Sequence, residues 1–591
     1  MENQPDIQVP RSSVPVGVPN GKSKPIPWLV WLAVCIWFIA MCPLTRWGLP
    51  NRANDDLLFG SDRAWPAERF SVTRLTEQRA GRGGGADTDV DPISDRNQVV
   101  DLTPDDEARA AILLRYRLYS RQPDEMITFM ALQRMRPRQG DFDPKLYQYG
   151  GAYIYMIGGC LGLSSLLGAT HLTTQLAYYL DHPEAFGAFY VVSRCLSLGF
   201  GVAALLAVFV LARRAAGMAA GWLAMLLTAA CPVFITLALE SKPHLPSTAL
   251  LLWAIAAAWE CWDANSRASW LRLGTICGLA FALVLTGAAA LALPMALLLR
   301  PAADQAPRWR GPFLSFALTV VVFAFLNPYL IVNMVFKAGA LNSNLGNSTS
   351  MYAVGDWNAG LQRVVELLVE GAGPLTVLIG VLGSLMCVRR NARLTILLAG
   401  PALGMIALCI AIGAGKPAEF ARFLLLPCIL LTVASAVGLV RLAQKRLWVS
   451  LAVGLALVLT TKTPEYLGAF VEDAGGSGES RRIAGERLAG LTADADAIAV
   501  VQEPAPYAIP PLDFAHRRII LLPRSAPREV RPGELPAWLA LTADVVPPVG
   551  AHWWQRYYTL ESRSVPQSRQ LAQITWADKP VFIYRRIDPP R

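Results

Sequence analysis

The sequence has few charged residues, and its polar stretches have no cysteine at all. Only 17% of its 591 residues are charged, against roughly 25% in an average soluble domain, while 53% are hydrophobic and the mean hydropathy is +0.36. The ten cysteines lie in or beside apolar runs, and the stretches 45–150 and 470–591 contain none. This distribution indicates no disulfide framework and no thiolate metal site, and the composition predicts a polytopic membrane protein.

An excess of basic charge is the second feature of the composition. Lys and Arg number 54 against 44 Asp and Glu, which gives a formal net charge of +10. Such a charge can serve nucleic-acid binding, but much of it lies here in short loops between apolar runs, where it acts as a topology signal. We therefore expect no nucleic-acid partner and use the basic loops to orient the chain in the membrane.

The N-terminal residues 1–26 are rich in Pro, Ser and Val without periodicity, which predicts a disordered cytoplasmic tail. The apolar run 27–44 follows Lys22 and Lys24, which place the N-terminus inside. This run lacks a small-residue cleavage site and is followed by Arg46, so it resembles an uncleaved signal anchor more than a removed signal peptide. We therefore expect an integral protein of a bacterial-type inner (plasma) membrane.

Apolar segments define the predicted transmembrane domain, residues 27–462. The run 149–168 is assigned to a juxtamembrane helix at the outer interface, because counting it as a span would place the basic loops outside. The run 271–300 is too long for one crossing, and a reversal near Thr286-Gly287 divides it in two. We predict about eleven membrane segments, within 27–44, 187–212, 216–238, 247–262, 271–300, 312–334, 363–387, 394–412, 420–442 and 446–462. The large loop 45–186 then lies outside, and Asn327-Pro328 predicts a kink in its segment.

Residues 463–591 are predicted to form a small extracytoplasmic α/β domain. We expect a polar helix at Glu479–Leu488, an aromatic helix at His552–Leu560, and strands at Ala497–Val501, Arg518–Leu522, Leu539–Val546 and Pro580–Arg585. This part of the sequence has no glycine-rich phosphate loop and no nucleophile elbow. We therefore expect the domain to bind the acceptor or to cover the active site.

Two acidic motifs of the outer loop carry the functional prediction. Asp55 and Asp56 follow shortly after the first span, and a carboxylate held where the membrane meets water can act as a general base. Asp143 and Pro144 are expected to cap and open the juxtamembrane helix. A solvated loop pair, or a cap on the short helix that follows, is the alternative interpretation of Asp55 and Asp56.

The combination of a first span, an acidic pair, a long outer loop and the segment Asp143-Pro-Lys145-Leu-Tyr147 resembles the GT-C glycosyltransferases. Within them it is most similar to the protein mannosyltransferase and aminoarabinose transferase branch. Arg194 matches an Arg with which the second span of that family tends to begin. The family's acidic residue in the second outer loop is not matched, because Glu240-Ser-Lys242-Pro-His244 has Lys or His at the usual position. The resemblance covers about residues 27–440.

This resemblance implies transfer of a hexose or pentose from a polyprenyl-phosphate-linked donor to an envelope lipid, glycan or protein at the outer face of the membrane. The displacement would be inverting, with Asp55 or Asp56 as the general base. The cations that the topology places near the outer face would hold the donor phosphate, namely Arg194, Lys242, His244 and Arg422. Substrate binding would fall to Asp143, Lys145 and Tyr147.

Two alternatives stay open at the level of sequence. No set of metal ligands is indicated, although a divalent cation could join the site as a cofactor. A membrane transporter or flippase for a lipid-linked or anionic substrate is the alternative function, although no inverted repeat is visible and most spans lack interior charges. Each of the four cations also has a simpler interpretation, as a side chain at a helix end that reaches the lipid headgroups.

Overall fold

Apolar helices form most of this computed structural model. It describes residues 25–60, 99–101, 113–300, 309–336, 357–390, 392–412, 417–443, 447–475, 480–493, 496–501, 509–513, 517–523, 526, 532–543, 546–564 and 580–587, so most of the predicted N-terminal tail lies outside the described residues. The α-helices are Trp28–Met41, Asp55–Phe59, Glu125–Arg134, Gly151–Leu166, Leu176–Asp181, Pro183–Ala216, Met218–Ala229, Pro232–Ala238, His244–Ala264, Arg267–Leu283, Ala292–Ala296, Arg310–Leu326, Pro328–Phe336, Trp357–Ala372, Pro374–Arg390, Ala392–Ile412, Pro417–Leu442, Leu447–Leu459, Thr463–Gly475 and Ser480–Leu491.

Five helices are long and apolar enough to cross a membrane. They are Trp28–Arg46, Pro183–Ala216, His244–Ala264, Arg393–Ala411 and Ala421–Leu442. Three further pairs of helices reach that length only together and are bent by 67°, 87° and 105°. The described residues therefore give five to eight spans, by length and composition, against about eleven expected. Part of the difference lies in Leu285–Leu299 and Trp448–Leu459, which are apolar but too short for a span.

The predicted kink at Asn327-Pro328 is confirmed. The helices Arg310–Leu326 and Pro328–Phe336 meet there at 87°, because proline lacks an N–H and clashes with the preceding turn. The Asn327 side chain binds backbone groups at this break: its Nδ2 donates to the carbonyl of Phe323, and its Oδ1 accepts the N–H of Gly151 at 2.7 Å. The kink is thereby fixed against the start of the juxtamembrane helix.

The predicted break in the run 271–300 is also present. The helix Arg267–Leu283 ends, Val284 is extended, and a 3-10 helix begins at Leu285. The chain then lies so close to the helix it has left that a Cβ on Gly287 would come within 2.3 Å of the Ala280 carbonyl oxygen. Glycine is therefore required where the chain folds back.

The juxtamembrane helix does not begin where we predicted. It spans Gly151–Leu166, so Asp143 does not cap it and Pro144 is not in its first turn. Asp143 instead accepts the N–H of Lys145, which has a left-handed φ of 51°, and this turn diverts the chain from a helix. Tyr149 then pairs with Val284 as an isolated antiparallel bridge, which keeps the preceding residues extended.

Contacts between basic loops gather them at one end of the helix bundle. Arg441 donates to the carbonyl of Ala215, and Arg214 binds Glu260 at 2.8 Å. Arg393 binds Asp263 at the same end. The sequence analysis expected these loops on one side of the membrane, and the packing places them together.

A six-stranded mixed sheet lies beyond the bundle. Its order is Val100–Asp101, Arg518–Leu522, Ala497–Val501, Trp538–Thr542, Val581–Arg586 and Tyr558–Ser564. The two pairings of Ala497–Val501 are parallel and the remaining three are antiparallel. The four predicted strands are thus present, two of them with shifted ends, and the predicted polar helix appears as Ser480–Leu491.

The predicted aromatic helix at His552–Leu560 is wrong. Only a 3-10 turn forms at Trp553–Arg556, and the edge strand Tyr558–Ser564 follows. Trp554 and Tyr558 are buried together on one face of the sheet, where the Tyr558 hydroxyl donates to the Pro536 carbonyl at 2.7 Å. Burial of these aromatic rings against the sheet decides the conformation, although their spacing is that of a helix. Aromatic residues are also favourable in strands.

The sheet is joined to the outer loop rather than separate from it. Its first strand comes from residues 100–101 of that loop, and Asp101 binds Arg518 at 2.7 Å. The helix Thr463–Gly475, which we placed in the C-terminal domain, packs into the bundle core, where Phe470 meets the ring of Trp47 at 5.1 Å. The outer loop and the C-terminal segment therefore fold as neighbours.

Candidate active site

The candidate site lies at the end of the bundle opposite the basic loops, where two segments meet that the sequence analysis assigned to the outer face and that are called the outer segments below. One segment ends in Asp124, which directly precedes the helix Glu125–Arg134, and Glu125, which is the first residue of that helix. The other segment carries Glu240 and Lys242 and leads into the helix His244–Ala264. The positive end of a helix dipole stabilises acidic residues at the first turn. The helix start is therefore a favourable place for this acidic pair.

A fully buried ion pair holds these two segments together. Both side chains of Arg194 and Glu125 are unexposed, and the guanidinium donates to the carboxylate at 2.9 and 2.6 Å. The same guanidinium donates to the carbonyls of Thr45 and Trp47 at 2.8 and 2.6 Å. Glu125 also accepts the N–H of Ser241 at 2.6 Å. One ion pair thus ties the end of the first span to both outer segments.

Arg194 is therefore placed differently from the other three predicted cations. Its charge is balanced by Glu125, and four of its hydrogen bonds stay within the protein. A buried pair of this geometry is costly to break. The contacts of Arg194 are therefore those of a structural residue.

Lys242 and Arg422 converge on one carboxylate oxygen. Lys242 Nζ lies 3.1 Å and Arg422 Nη1 lies 2.8 Å from Asp124 Oδ2. Burial alone would raise the pKa of Asp124, but the two cations outweigh it and hold that pKa well below its usual range. Asp124 is therefore ionised at neutral pH, and it occupies the place that an anionic ligand would take between the cations.

A pocket opens beside this cluster. It is small and is lined by His244, Ser247, Thr248, Leu251, Thr286, Gly287, Met405, Arg422 and Leu426. Cationic and hydroxyl groups lie beside apolar side chains in this lining, a combination that suits an amphiphilic ligand. His244 is buried, and its Nε2 has no hydrogen-bond partner among the described residues. Buried polar atoms are normally paired, so this nitrogen is a candidate contact for a bound ligand.

Three of the four predicted phosphate-binding residues are thus brought together. Lys242, His244 and Arg422 surround Asp124 and the pocket, as the sequence pattern led us to expect, and phosphate binding stays a prediction for them. The sequence analysis missed Asp124 and Glu125. The available signal was the acidic pair itself, at the start of the largely apolar helix Glu125–Arg134 in the same loop.

Glu240 is a buried carboxyl group beside the cluster. Its Oε1 accepts a hydrogen bond from Gln122 at 3.0 Å, and its Oε2 lies 3.8 Å from Lys242 Nζ. Burial raises the pKa of Glu240 to about 7; Lys242 and Gln122 oppose this, while Glu125 and Asp124 add to it. Glu240 therefore changes its charge near neutral pH, in contrast to Asp124.

We expect this raised pKa to make stability depend on pH. Between pH 4.5 and about 7 the folded protein holds a proton on Glu240 that the unfolded chain has lost, so folding stability falls as pH rises through this window. Glu240→Gln removes the effect, which is on the order of 3 kcal/mol. In detergent, the melting temperature of the variant minus that of the wild type should rise from pH 5 to 7 and stay constant above pH 7. A difference that is constant from pH 5 would contradict the assignment.

Asp55 and Asp56 form part of a different set of ion pairs. They open the helix Asp55–Phe59. Asp56 accepts two hydrogen bonds from Arg482, at 2.9 and 2.8 Å, and these bonds lower its pKa against a smaller effect of burial. Asp55 lies 2.9 Å from Arg117, and burial raises its pKa more than Arg117 and Arg52 lower it. Asp56 thus links the outer loop to the C-terminal segment, and Asp55 braces the loop itself.

Asp143 and Tyr147 lie at a second cleft, beside the kinked helix pair. The Tyr147 hydroxyl donates to Asp143 at 3.2 Å, and Asn333 donates to both of them. Burial and the Asp143 charge raise the pKa of Tyr147. Tyr149 lines this cleft, and its ring also meets the ring of His244 at 6.2 Å. Asp143 and Tyr147 therefore border the candidate site through Tyr149, while Lys145 contributes its backbone N–H to the turn.

Metal binding by the protein alone has little support in this geometry. Within the part of the chain that the structure describes, no group of three or more His, Cys, Asp or Glu side chains is arranged to hold a metal ion.

Comparisons with known proteins give structural neighbours only, since no protein-family model and no curated protein matches this chain. The chain is similar to ArnT from Cupriavidus metallidurans bound to undecaprenyl phosphate, with 14% identity and a TM-score of 0.41, over 78% of this chain and 92% of that one. It is similar to an oligosaccharyltransferase from Archaeoglobus fulgidus in complex with Zn and sulfate, with 16% identity and a TM-score of 0.34, over 62% of this chain. It spans 54% of that structure's length.

A third neighbour is the archaeal oligosaccharyltransferase AglB from Archaeoglobus fulgidus, in complex with an inhibitory peptide and a dolichol-phosphate. It has 14% identity and a TM-score of 0.39, over 77% of this chain and 65% of that one. ArnT and AglB are both GT-C enzymes. At these TM-scores and identities the neighbours carry no argument about the role of this chain, and the function proposed below rests on the residues of the site.

Proposed function

We propose that this protein transfers a sugar from a polyprenyl-phosphate-linked donor to an acceptor of the cell envelope. The observation that carries the proposal is the convergence of Lys242 and Arg422 on a single oxygen beside a partly apolar pocket. Cations that converge in this way bind phosphate oxygens well. Because Arg422 lies at the end of a span helix, a phosphate held there can keep its lipid tail in the bilayer.

We place this chemistry at the outer face of the membrane. The basic loops lie together at the other end of the bundle, and basic loops favour the cytoplasmic side. The sheet lies at the same end of the bundle as the candidate site, because Arg482 from the C-terminal segment binds Asp56 of the outer loop. On this orientation the sheet is extracytoplasmic and lies where an envelope acceptor approaches.

Asp124 is our assignment for the general base. It is the carboxylate in contact with the two cations, whereas Asp56 is engaged with Arg482 and Asp55 with Arg117. A base must lie within reach of the acceptor proton at the reacting centre. The position of Asp124 meets this requirement if the phosphate is held by Lys242 and Arg422, and Asp55 and Asp56 become the comparison carboxylates.

The proposed reaction is an inverting displacement. Asp124 takes the proton of an acceptor hydroxyl or amine, whose freed electron pair forms a bond to the anomeric carbon. The bond from this carbon to the phosphate oxygen breaks, and its electrons remain on the polyprenyl phosphate. Lys242 and Arg422 stabilise the negative charge that develops there.

The proposal is tested by supplying the purified protein with labelled polyprenyl-phosphate sugars and an envelope extract, and by following label into the acceptor fractions. We expect Lys242→Gln and Arg422→Gln each to lower transfer by at least about tenfold, since each removes one cation from the developing phosphate charge. Arg213→Gln, at the opposite end of the bundle, is the matched control and should transfer normally.

The same assay separates the alternatives. Asp55→Asn and Asp56→Asn are expected to retain transfer within about tenfold, because neither contacts the cations of the site. If wild-type protein leaves all of the label on its polyprenyl carrier with every donor and acceptor fraction, the proposed transfer is wrong. Movement of the intact carrier across a liposome membrane would then identify a flippase.

A further inference from the structure

The carboxylate of Asp124 stands where the donor phosphate must bind. Lys242 and Arg422 both direct an N–H donor to its Oδ2, and the side chains of these two cations are only 2% and 11% exposed. Because both cations are largely buried, water cannot readily take the place of the carboxylate as their partner. A phosphate oxygen and Asp124 Oδ2 therefore compete for the same donors.

The charges facing this position are close to balanced. Lys242 and Arg422 are cationic, Asp124 is anionic, and Glu240 faces Lys242 at 3.8 Å. The neighbouring pair of Glu125 and Arg194 is neutral overall. Among the described residues, Tyr149 and His244 also interact electrostatically with Asp124 and Arg422. A phosphate added to this set finds its two cations largely neutralised by Asp124, so it binds more tightly if Asp124 moves away.

Asp124 has a place to which it can move. It directly precedes the helix Glu125–Arg134, and its side chain makes no capping hydrogen bond to that helix. The positive end of the helix dipole stabilises a carboxylate at this position after the cations have been taken over. The side chain therefore has two alternative environments at the same backbone position.

We propose that the donor phosphate displaces Asp124 from Lys242 and Arg422, and that this exchange converts a masked carboxylate into the active general base. The inference rests on the proposed function, since it names the phosphate of that donor as the displacing group. In the empty site the two cations hold the carboxylate and suppress its basicity. Once the phosphate has engaged them, Asp124 is released beside the sugar, so the base works only when a donor is present.

This exchange predicts an opposite effect of one substitution on binding and on transfer. Asp124→Asn removes the competing charge, so we expect it to bind farnesyl phosphate in detergent at least about tenfold more tightly than the wild type, equivalent to about 1.4 kcal/mol. Lys242→Gln should bind it more weakly by a similar factor. Isothermal titration calorimetry measures both, with farnesol as the ligand that lacks the phosphate.

Asp263→Asn is the matched control, because Asp263 also binds a cation but lies at the opposite end of the bundle. It should leave the affinity unchanged. Unchanged or weaker binding by Asp124→Asn, in protein that melts within a few degrees of the wild type, would overturn the exchange. Asp124→Ser serves as a second variant if the Asn protein is unstable, and the same outcomes apply to it.

The binding measurement with farnesyl phosphate can be interpreted independently of the transfer assay. Wild-type protein that binds farnesyl phosphate but shows no gain in Asp124→Asn contradicts the exchange and leaves the proposed function standing. Tighter binding by Asp124→Asn with no sugar transfer by the wild type supports the exchange and contradicts the proposed function. Failure of both proteins to bind the phosphate at millimolar concentration contradicts both.

Discussion

Asp124→Asn is expected to reduce sugar transfer by about 10²–10⁴-fold, the usual contribution of a positioned general base. The Asn side chain has nearly the same size and can still accept hydrogen bonds from Lys242 and Arg422, so the positions of these cations should be kept. It cannot take the proton of the acceptor. The loss should therefore fall on kcat, while the KM for the donor is lower, as the tighter phosphate binding predicts. Initial rates with labelled donor at saturating acceptor give both constants.

Asp55→Asn and Asp56→Asn are the matched controls for this prediction, since each is also an ion-paired carboxylate of the outer loop. If one of them loses transfer by the larger factor and Asp124→Asn does not, the base belongs to the acidic pair beside the first span. An acceptor with a more acidic hydroxyl should partly restore the rate of Asp124→Asn, because it needs less help in losing its proton. A variant that had lost only its fold would show no such restoration.

The elements that sequence predicted well are those with a local cause. Pro328 removes a backbone donor, so the kink at Asn327-Pro328 could be located within one residue. Gly287 lies where the chain returns onto its own helix, and the break in that run was expected next to it. Strands such as Ala497–Val501 are short apolar runs with ends that match the structure. In each of these cases neighbouring residues decide the conformation.

The elements that sequence predicted badly depend on distant partners. Asp143 and Pro144 have the composition of a helix start, but the bridge from Tyr149 to Val284 keeps the following residues extended. The aromatic residues of 552–560 have helical spacing, but Trp554 and Tyr558 are held against the sheet by residues such as Tyr584. Local propensity gives way where tertiary packing buries more surface.

The candidate site was predicted in part for the same reason. Lys242, His244 and Arg422 could be assigned to one end of the bundle from the positions of the spans alone. The choice among the acidic pairs of the same loop could not be made in this way, because Glu125 is identified by its partner Arg194, 69 residues away. Proximity to the first span favoured Asp55 and Asp56, whereas contacts with the cations favour Asp124.

Arg194→Leu is expected to destabilise the protein by about 3–5 kcal/mol, since it leaves the buried Glu125 carboxylate without its cation. The carbonyls of Thr45 and Trp47 lose a donor in the same variant. Each of these groups lies where the first span meets the outer segments, so the end of the bundle with the candidate site should loosen first. Thermal unfolding in detergent, followed by the fluorescence of Trp47 and the other tryptophans, should show a lower melting temperature.

The control for this substitution lies on the same helix. Arg213→Leu removes an arginine at the opposite end, where the half-buried side chain lies over the Phe209 ring and, among the described residues, donates to the Pro25 carbonyl. Because it has no buried carboxylate as partner there, this substitution should change stability by less than about 1 kcal/mol. Arg194→Met with Glu125→Leu removes both charges and should recover part of the loss, because no unpaired carboxylate remains. If Arg194 instead bound the donor phosphate, Arg194→Leu would melt like Arg213→Leu and lose only its affinity for farnesyl phosphate. The buried pair predicts the reverse order: stability is lost first, and affinity falls only as far as the site unfolds.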